Sequence, residues 1–327
     1  MHLLHRYFNQ NALDVQRDDS QNRAFLKETT ALNTLQNVIL VAVMLTFAGI
    51  ELMSASHKRY HATADDGKLE LFMFLSLLAI LQPVIFAVTG KLAHLWLPAY
   101  HGALADWPWW LMFAVLLVGD DLTQYWWHRV SHTPLLWPLH RAHHSAHYMS
   151  IRVTYRNNFF YYAMMPGIWV SGLLVYLGFA NVYIAYLVIK LTVILGSHCA
   201  VPWDRPLYRI KVLSPLMWLV ERTISTPATH WAHHAITDHD GIGHYKGNFG
   251  NLLFVWDMLF GTAHITRRYP AQVGLRDDEL FGKERWFTEM FYPLIHSRRE
   301  HSALVPNGEI YDDSGDVKDF QPTIVTQ

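Results

Sequence analysis

Apolar stretches of membrane-crossing length constrain the fold of this chain more than any other feature. The stretches lie at 33–53, 69–90, 107–127, 159–177 and 182–198. The length of each is close to the roughly 20 residues that a helix needs to cross a bilayer. The third begins at Trp107 and ends at Trp127, and tryptophans at both ends are typical of helices anchored at the two membrane surfaces. The sequence therefore predicts an all-α integral membrane protein, a bundle of about four to five membrane helices.

Composition supports this class and divides the chain. Hydrophobic residues make up 51% and charged residues 16%, the latter well below the roughly 25% of soluble domains. The predicted parts are a polar N-terminal segment (1–32), a membrane-helix region (33–198), a cytosolic cap (199–264) and a polar C-terminal tail (265–327).

A net charge of −1 gives no electrostatic case for binding nucleic acid. The single cysteine, Cys199, excludes a cysteine-based zinc or iron–sulfur site.

Three histidine clusters lie near the ends of the predicted membrane helices. The first two fall in the membrane-helix region and the third in the cap: His128 and His132; His140, His143 and His144; His230, His233 and His234. Residues three and four apart share a helix face, so each cluster presents its imidazoles in one direction. Neutral imidazole is the commonest protein metal ligand, which predicts a metal site.

The number of histidines predicts two metal ions. A catalytic metal usually keeps about three protein ligands and an open position, and the clusters provide eight. His198, at the end of the fifth apolar stretch, is the ninth predicted ligand. His147, His239 and His244 are expected to have supporting or surface roles.

Three charged residues inside the apolar stretches are further candidates. Asp121 lies seven residues before His128 on the same predicted helix face, so it is expected to orient a metal-bound ring from behind; a solvated carboxylate at the membrane surface is the alternative. Asp120 is its neighbour. Lys190 is a functional candidate because charges inside a membrane are expensive, with a substrate head group or an aspartate as its expected partner.

The histidine clusters are predicted to share the cytoplasmic face. The break at 178–181 returns the chain to the side it left, so the three clusters can meet. Positive residues favour the cytoplasm, and the cluster regions carry Arg129, Arg141, Arg152 and Arg156. A re-entrant 69–90 segment, interrupted by Pro83, would change the number of crossings.

At these residues the chain resembles the fatty acid hydroxylase/sterol desaturase superfamily. The segment 121–132 resembles the family pattern D-x-x-x-Y-W-x-H-R-x-x-H, 136–145 resembles L-W-x-x-H-x-x-H-H-S, and 226–234 resembles T-P-x-x-H-x-x-H-H. Asn248-Phe-Gly250 and 256–262 are similar to N-Y-G and W-D-x-L-F-G-T. After H-H-S the chain reads Ala-His-Tyr-Met-Ser, where family members of the alkylglycerol monooxygenase type usually carry acidic residues and Asn. The sequence therefore leaves the subfamily open.

The resemblance implies a membrane-bound non-haem diiron enzyme. Two Fe ions held by the nine histidines would use O₂ as co-substrate to hydroxylate an unactivated C–H bond of a fatty acyl, alkyl-lipid or sterol substrate, with electrons from a separate electron-transfer protein. A desaturase with the same metal site is the alternative reaction. A non-oxidising zinc membrane protein is the alternative from another class, because imidazole also suits zinc.

Overall fold

The computed structural model describes residues 34–35, 37–54, 62–299 and 301–305 and is built from helices. Within these residues β-structure is limited to two isolated bridges, Ile224–Leu253 and Ala235–Val273. The helices are α1 (Asn37–Met53), α2 (Ala64–Trp96), α3 (residues 109–131), α4 (Trp137–His144), α5 (Phe159–Met164), α6 (Pro166–Leu174), α7 (Ala180–His198), α8 (Asp204–Leu207), α9 (Ser214–Thr223), α10 (Pro227–His233), α11 (Val255–Phe260), α12 (Arg276–Phe281) and α13 (Trp286–Phe291).

Two stretches of the described chain are long and apolar enough to cross a membrane, where the sequence predicted about four to five. By length and composition they are α2, with 33 residues, and the 33-residue stretch Pro166–His198, which Gly178 divides into α6 and α7. Helix α2 continues through Pro83 by way of a π-helical turn at Leu77–Leu81, so the 69–90 segment is a continuous helix and not a re-entrant loop. The 107–127 stretch forms most of α3, which has its own π-helical turn at Leu117–Leu122.

Helices α6 and α7 form a hairpin that reverses at Gly178. This glycine has φ 117°, and a Cβ there would lie 2.7 Å from the backbone nitrogen of Ala105, so only glycine fits without strain. The two arms lie side by side at Asp120: a Cβ on Gly167 would be 2.5 Å from one carboxylate oxygen, and Lys190 contacts the other. The break predicted at 178–181 is therefore the turn, and His198 returns to the end from which α6 started.

The chain segments next to the histidines lie together at one end of the bundle. Glu51, near the end of α1, accepts hydrogen bonds from Ser150 Oγ (2.7 Å) and the backbone nitrogen of Ala200 (2.7 Å). Asp66, in the first turn of α2, pairs with Arg156 at 2.6 Å. The opposite end is closed by the 97–108 loop, where Gly102 donates to the carbonyl of Tyr176. The histidines thus share one end of the bundle with the end of α1 and the start of α2.

The C-terminal segment packs onto α4 through buried ion pairs. Arg141, with no exposed surface, donates to Glu289 (2.9 Å) and Asp277 (3.0 Å) and also contacts Asp278. The ring of Trp286 stacks on Phe72 of α2 with centroids 5.1 Å apart. The described part of the predicted tail therefore forms a wall behind the second histidine cluster.

Candidate metal centre

The nine predicted ligands come together as two adjoining groups of buried imidazoles. The first group is His128, His132, His140, His144 and His233, and the second is His143, His198, His230 and His234; within each, the candidate ligand atoms lie within 4.8 Å of one another. The groups touch where His144 stacks on His234, with ring centroids 4.4 Å apart. Each group contains histidines from more than one sequence cluster. Neither candidate metal position therefore exists without the tertiary fold.

Local sequence sets the direction of the third cluster. Thr226 caps α10 by accepting from the backbone nitrogen of Thr229, and Thr229 returns the bond in a capping box. Pro227 follows at a position where its fixed φ suits a helix start. Asp204 accepts from the backbone nitrogen of Ala228 at 2.9 Å and ties this helix to the segment after α7. The seven-residue helix therefore starts at a fixed place and points His230 and His233 into the centre.

Backbone carbonyls fix the tautomer of four of the rings. The Nδ1 atoms of His128 and His233 face the carbonyls of Phe249 and Gly247, each at 2.7 Å. His198 Nδ1 faces the carbonyl of Ile194 at 2.8 Å, and His143 Nδ1 faces two carbonyls at 3.1 and 3.2 Å. A carbonyl oxygen only accepts, so each Nδ1 carries the proton and each Nε2 presents its lone pair to the centre.

These lone pairs face each other at distances that fit bound metal ions. His128 Nε2 lies 3.0 Å from His233 Nε2 in the first group, and His143 Nε2 lies 3.4 Å from His198 Nε2 in the second. Two lone pairs at such distances repel unless a cation lies between them. Nitrogens bound to one metal at about 2.1 Å are roughly 3.0 Å apart in octahedral and roughly 3.4 Å apart in tetrahedral geometry. The donor set therefore fits one metal ion in each group.

Burial keeps several of the rings neutral. It holds the pKa of His140, His143 and His234 well below the ordinary histidine value, and neighbouring imidazoles lower the pKa further. A neutral imidazole is the form that binds a metal.

A short loop between α10 and α11 provides two of the five orienting carbonyls, those of Gly247 and Phe249, and Asp257 holds that loop. Its carboxylate, fully buried, accepts from the backbone nitrogens of Phe249 (2.8 Å) and Gly250 (2.7 Å) and from Thr262 Oγ1 (2.6 Å). Burial raises the pKa of Asp257 to about 6. The sequence predicted no role for Asp257, although the residue lies in the W-D-x-L-F-G-T pattern. Its position in that pattern was the one sequence feature that pointed to a role for this residue.

Asp121 differs from its expected role. The sequence predicted that it holds a metal-bound ring, whereas its carboxylate accepts from Trp256 Nε1 (2.8 Å) and the backbone nitrogen of Leu253 (3.2 Å). His128 is oriented by Phe249 instead. Because Leu253 and Trp256 follow the loop directly, Asp121 fixes α3 to the segment that carries the orienting carbonyls.

The remaining histidines near the clusters lie outside both groups. His239 is exposed, His244 packs against His264 with centroids 5.0 Å apart, and His147 lies against Gly274. This agrees with the supporting or surface roles expected for them.

A cavity of about 150 Å³ connects the histidines with the interior of the bundle. His128, His140, His143 and His198 line one part of it, and the walls include aliphatic side chains from α2, α6 and α7: Leu77, Ile168, Leu187, Leu191 and Ile194. Asp120 and Lys190 line the same cavity and pair at 2.6 Å, so the aspartate expected as one partner of Lys190 is Asp120. An apolar cavity that reaches the candidate metal centre suits an apolar substrate.

Comparison with known protein families gives an independent result. Residues 113–262, which contain the nine histidines, match the family model "Fatty acid hydroxylase". Similar curated proteins are alkylglycerol monooxygenases from Xenopus tropicalis (28% identical over 167 residues), Danio rerio (27% over 165) and Homo sapiens (28% over 161). Each alignment covers 48% of this chain and 30 to 31% of the relative, so the matched region spans about a third of those proteins. No solved structure matches the chain.

Proposed function

Residues 113–262 of this chain belong to the fatty acid hydroxylase superfamily, and from that premise we propose that the protein is a membrane-bound non-haem diiron oxygenase. It uses O₂ to insert an oxygen atom into an unactivated C–H bond of a lipid. The observation that carries the proposal is the pair of histidine groups, each with Nε2 lone pairs facing one another, at the end of an apolar cavity.

The proposed ligands are the nine histidines, with His128, His132, His140, His144 and His233 around one ion and His143, His198, His230 and His234 around the other. Bound there, two iron ions would supply the binding and reduction of O₂, chemistry that no side chain provides. The carbonyls of Gly247, Phe249 and Ile194 keep three Nδ1 protons in place, so the rings need no reorganisation to bind. Buried walls exclude water from the centre, which prevents side reactions.

The balanced reaction defines what else the enzyme needs. One oxygen atom of O₂ enters the C–H bond to give C–OH, and the other leaves as water with two protons and two electrons. We propose a separate electron-transfer protein as the source of the electrons. The proposed location is a multi-pass membrane protein with the histidines at the cytoplasmic face, so that donor and metal centre lie on the same side.

The substrate is proposed to be a fatty acyl, alkyl-lipid or sterol molecule that enters the apolar cavity. The similar curated proteins are named for alkylglycerols, so these belong in the first substrate panel. Desaturation of the same lipid uses the same centre and O₂ and is the second candidate reaction.

Purified protein loaded with iron or with zinc and supplied with lipids, a reductant and oxygen-18 gas tests the proposal. We expect about two iron ions per chain and a product one labelled oxygen atom heavier than its substrate. A product two hydrogen atoms lighter and free of label would identify a desaturase. Equal turnover by the zinc-loaded protein, or iron-loaded protein inactive on the whole panel, would contradict an iron oxygenase.

A further inference from the structure

Two helices each line the cavity with one face, from an ionisable residue in the interior of the bundle to a histidine of the candidate metal centre. On α3, Asp120, Gln124 and His128 are spaced by four residues and all line the cavity; on α7, Lys190, Ile194 and His198 do the same. Such spacing keeps side chains on one helix face. Lys190 lies eight residues before His198, or about 12 Å along the helix. The cavity therefore has a histidine end and an ion-pair end.

The ion pair at the far end is buried. The side chains of Lys190 and Asp120 are 12% and 7% exposed and meet at 2.6 Å. The ammonium group also lies over the ring of Tyr186, 5.7 Å from its centroid. Replacing a buried ion pair by apolar residues is often neutral or stabilising, so packing alone does not explain the pair. Ionisable groups at membrane depth mark substrate paths by default.

Buried polar atoms without a protein partner line the same cavity. Among the described residues, Gln124 Oε1, Thr154 Oγ1 and Tyr155 Oη have no hydrogen-bond partner, and Thr154 and Tyr155 are 9% and 6% exposed. An unsatisfied buried polar group costs about 1–3 kcal/mol. A polar group on a bound molecule would satisfy these atoms, and Gln124 Oε1 in particular accepts from a donor.

We propose that the ion-pair end of the cavity binds the neutral, hydroxyl-bearing end of a long-chain amphiphile. A hydroxyl accepts from Lys190 Nζ, which Asp120 holds in place, and donates to the unsatisfied Gln124 Oε1. A carboxylate would add a second buried negative charge beside Asp120, which is costly in a medium of low dielectric constant. The chain of the amphiphile then runs past Leu187 and Leu191, and the C–H bond at the histidines lies about 12 Å from the hydroxyl. The inference rests on the proposed function for the reaction at the histidine end.

Equilibrium binding to the metal-free, full-length protein in detergent tests the inference without any turnover. The probes are hexadecanol, hexadecanoate at pH 8 and hexadecane, which share one chain length. The wild type should bind the alcohol about tenfold more tightly than the acid. Asp120→Asn leaves Lys190 without its counter-ion, so the ratio of alcohol to acid affinity should fall by about tenfold or more. Asp106→Asn, at an exposed site outside the cavity, should keep the wild-type ratio.

Gln124→Leu serves as the second variant because it introduces no unpaired charge and removes an unsatisfied acceptor. It should weaken hexadecanol about tenfold and leave hexadecane unchanged. A wild type that prefers the acid, a folded Asp120→Asn protein with the wild-type ratio, or unchanged alcohol affinity in Gln124→Leu would each overturn the inference. If the binding shifts occur but the iron-loaded wild type oxygenates no lipid, the proposed function alone is overturned. If the wild type oxygenates a lipid but the binding shifts do not occur, this inference alone is overturned.

Discussion

At the scale of single residues, the centre depends on which nitrogen of each histidine carries its proton. His128 and His233 receive their orientation from carbonyls of one loop, whereas His143 and His198 receive theirs from carbonyls of Val153, Arg156 and Ile194. These partners keep the Nε2 lone pairs directed at the proposed metal positions. Metal affinity should therefore respond both to the ligands and to the groups that hold the carbonyls.

Replacing one histidine from each group should remove metal and activity together. His143→Ala and His233→Ala each delete a proposed ligand and leave the facing nitrogen without its partner, so we expect product formation to be abolished and bound metal to fall. Elemental analysis and product mass spectrometry measure the two effects. His239→Ala is the matched control, because His239 is exposed and outside both groups, and it should keep both. Full turnover by either ligand variant would exclude that histidine from the centre.

Asp257 should act on the metal through the loop. Asp257→Asn places an amide nitrogen among the donors of Phe249 and Gly250, which shifts the carbonyls that orient His128 and His233. We expect metal affinity to fall about tenfold, at the lower end of the effect of removing an orienting partner, as measured by competition with a chelator. Asp238→Asn, at an exposed position, should change nothing. Wild-type affinity in Asp257→Asn would show that the loop holds its shape without the carboxylate.

At the scale of elements, short helices carry the second and third clusters, and other segments hold them in place. An eight-residue helix such as α4 is marginal by itself. It is fixed from outside by Arg141, whose guanidinium is surrounded by the acidic residues of α12 and α13, and from inside by its histidines. The described C-terminal segment is thus part of the support of the candidate metal centre.

Arg141→Met should destabilise the protein by about 3–5 kcal/mol, because it leaves Asp277, Asp278 and Glu289 buried with too little positive charge. Denaturant or thermal unfolding in detergent, followed by the fluorescence of the tryptophans, measures the loss. The same substitution at Arg276, whose pair with Glu279 lies at the surface, should cost less than about 1 kcal/mol. Equal losses at the two positions would contradict a stabilising role for the buried cluster.

At the scale of the whole molecule, the helices run alternately toward and away from the histidine end. Helix α2 leads away to the 97–108 loop, α3 returns to His128, and the hairpin of α6 and α7 leaves and returns to His198. A membrane around the apolar helices would therefore place the histidines and the 97–108 loop on opposite faces.

Cysteine labelling in intact cells checks this arrangement. Cys199 is the only cysteine and is 1% exposed, so the parent protein should react little with a membrane-impermeant maleimide. Asp106→Cys should be labelled from outside and His239→Cys only after the membrane is opened, because the positive-inside bias favours a cytoplasmic histidine face. The reverse pattern would invert the orientation, and labelling of both from outside would contradict opposite faces.

The sequence by itself predicted the candidate metal ligands and the helices that carry them. Spacings of three and four fixed which imidazoles share a helix face, apolar length predicted the helices, and His198 was identified from its place at a helix end. The tertiary structure alone decided how the nine histidines divide, since each group mixes clusters that are far apart in the chain. It also reassigned Asp121, gave Asp257 its role and paired Lys190 with Asp120. Local periodicity fixes the direction of a side chain on its own helix, but its partner depends on how separate helices pack.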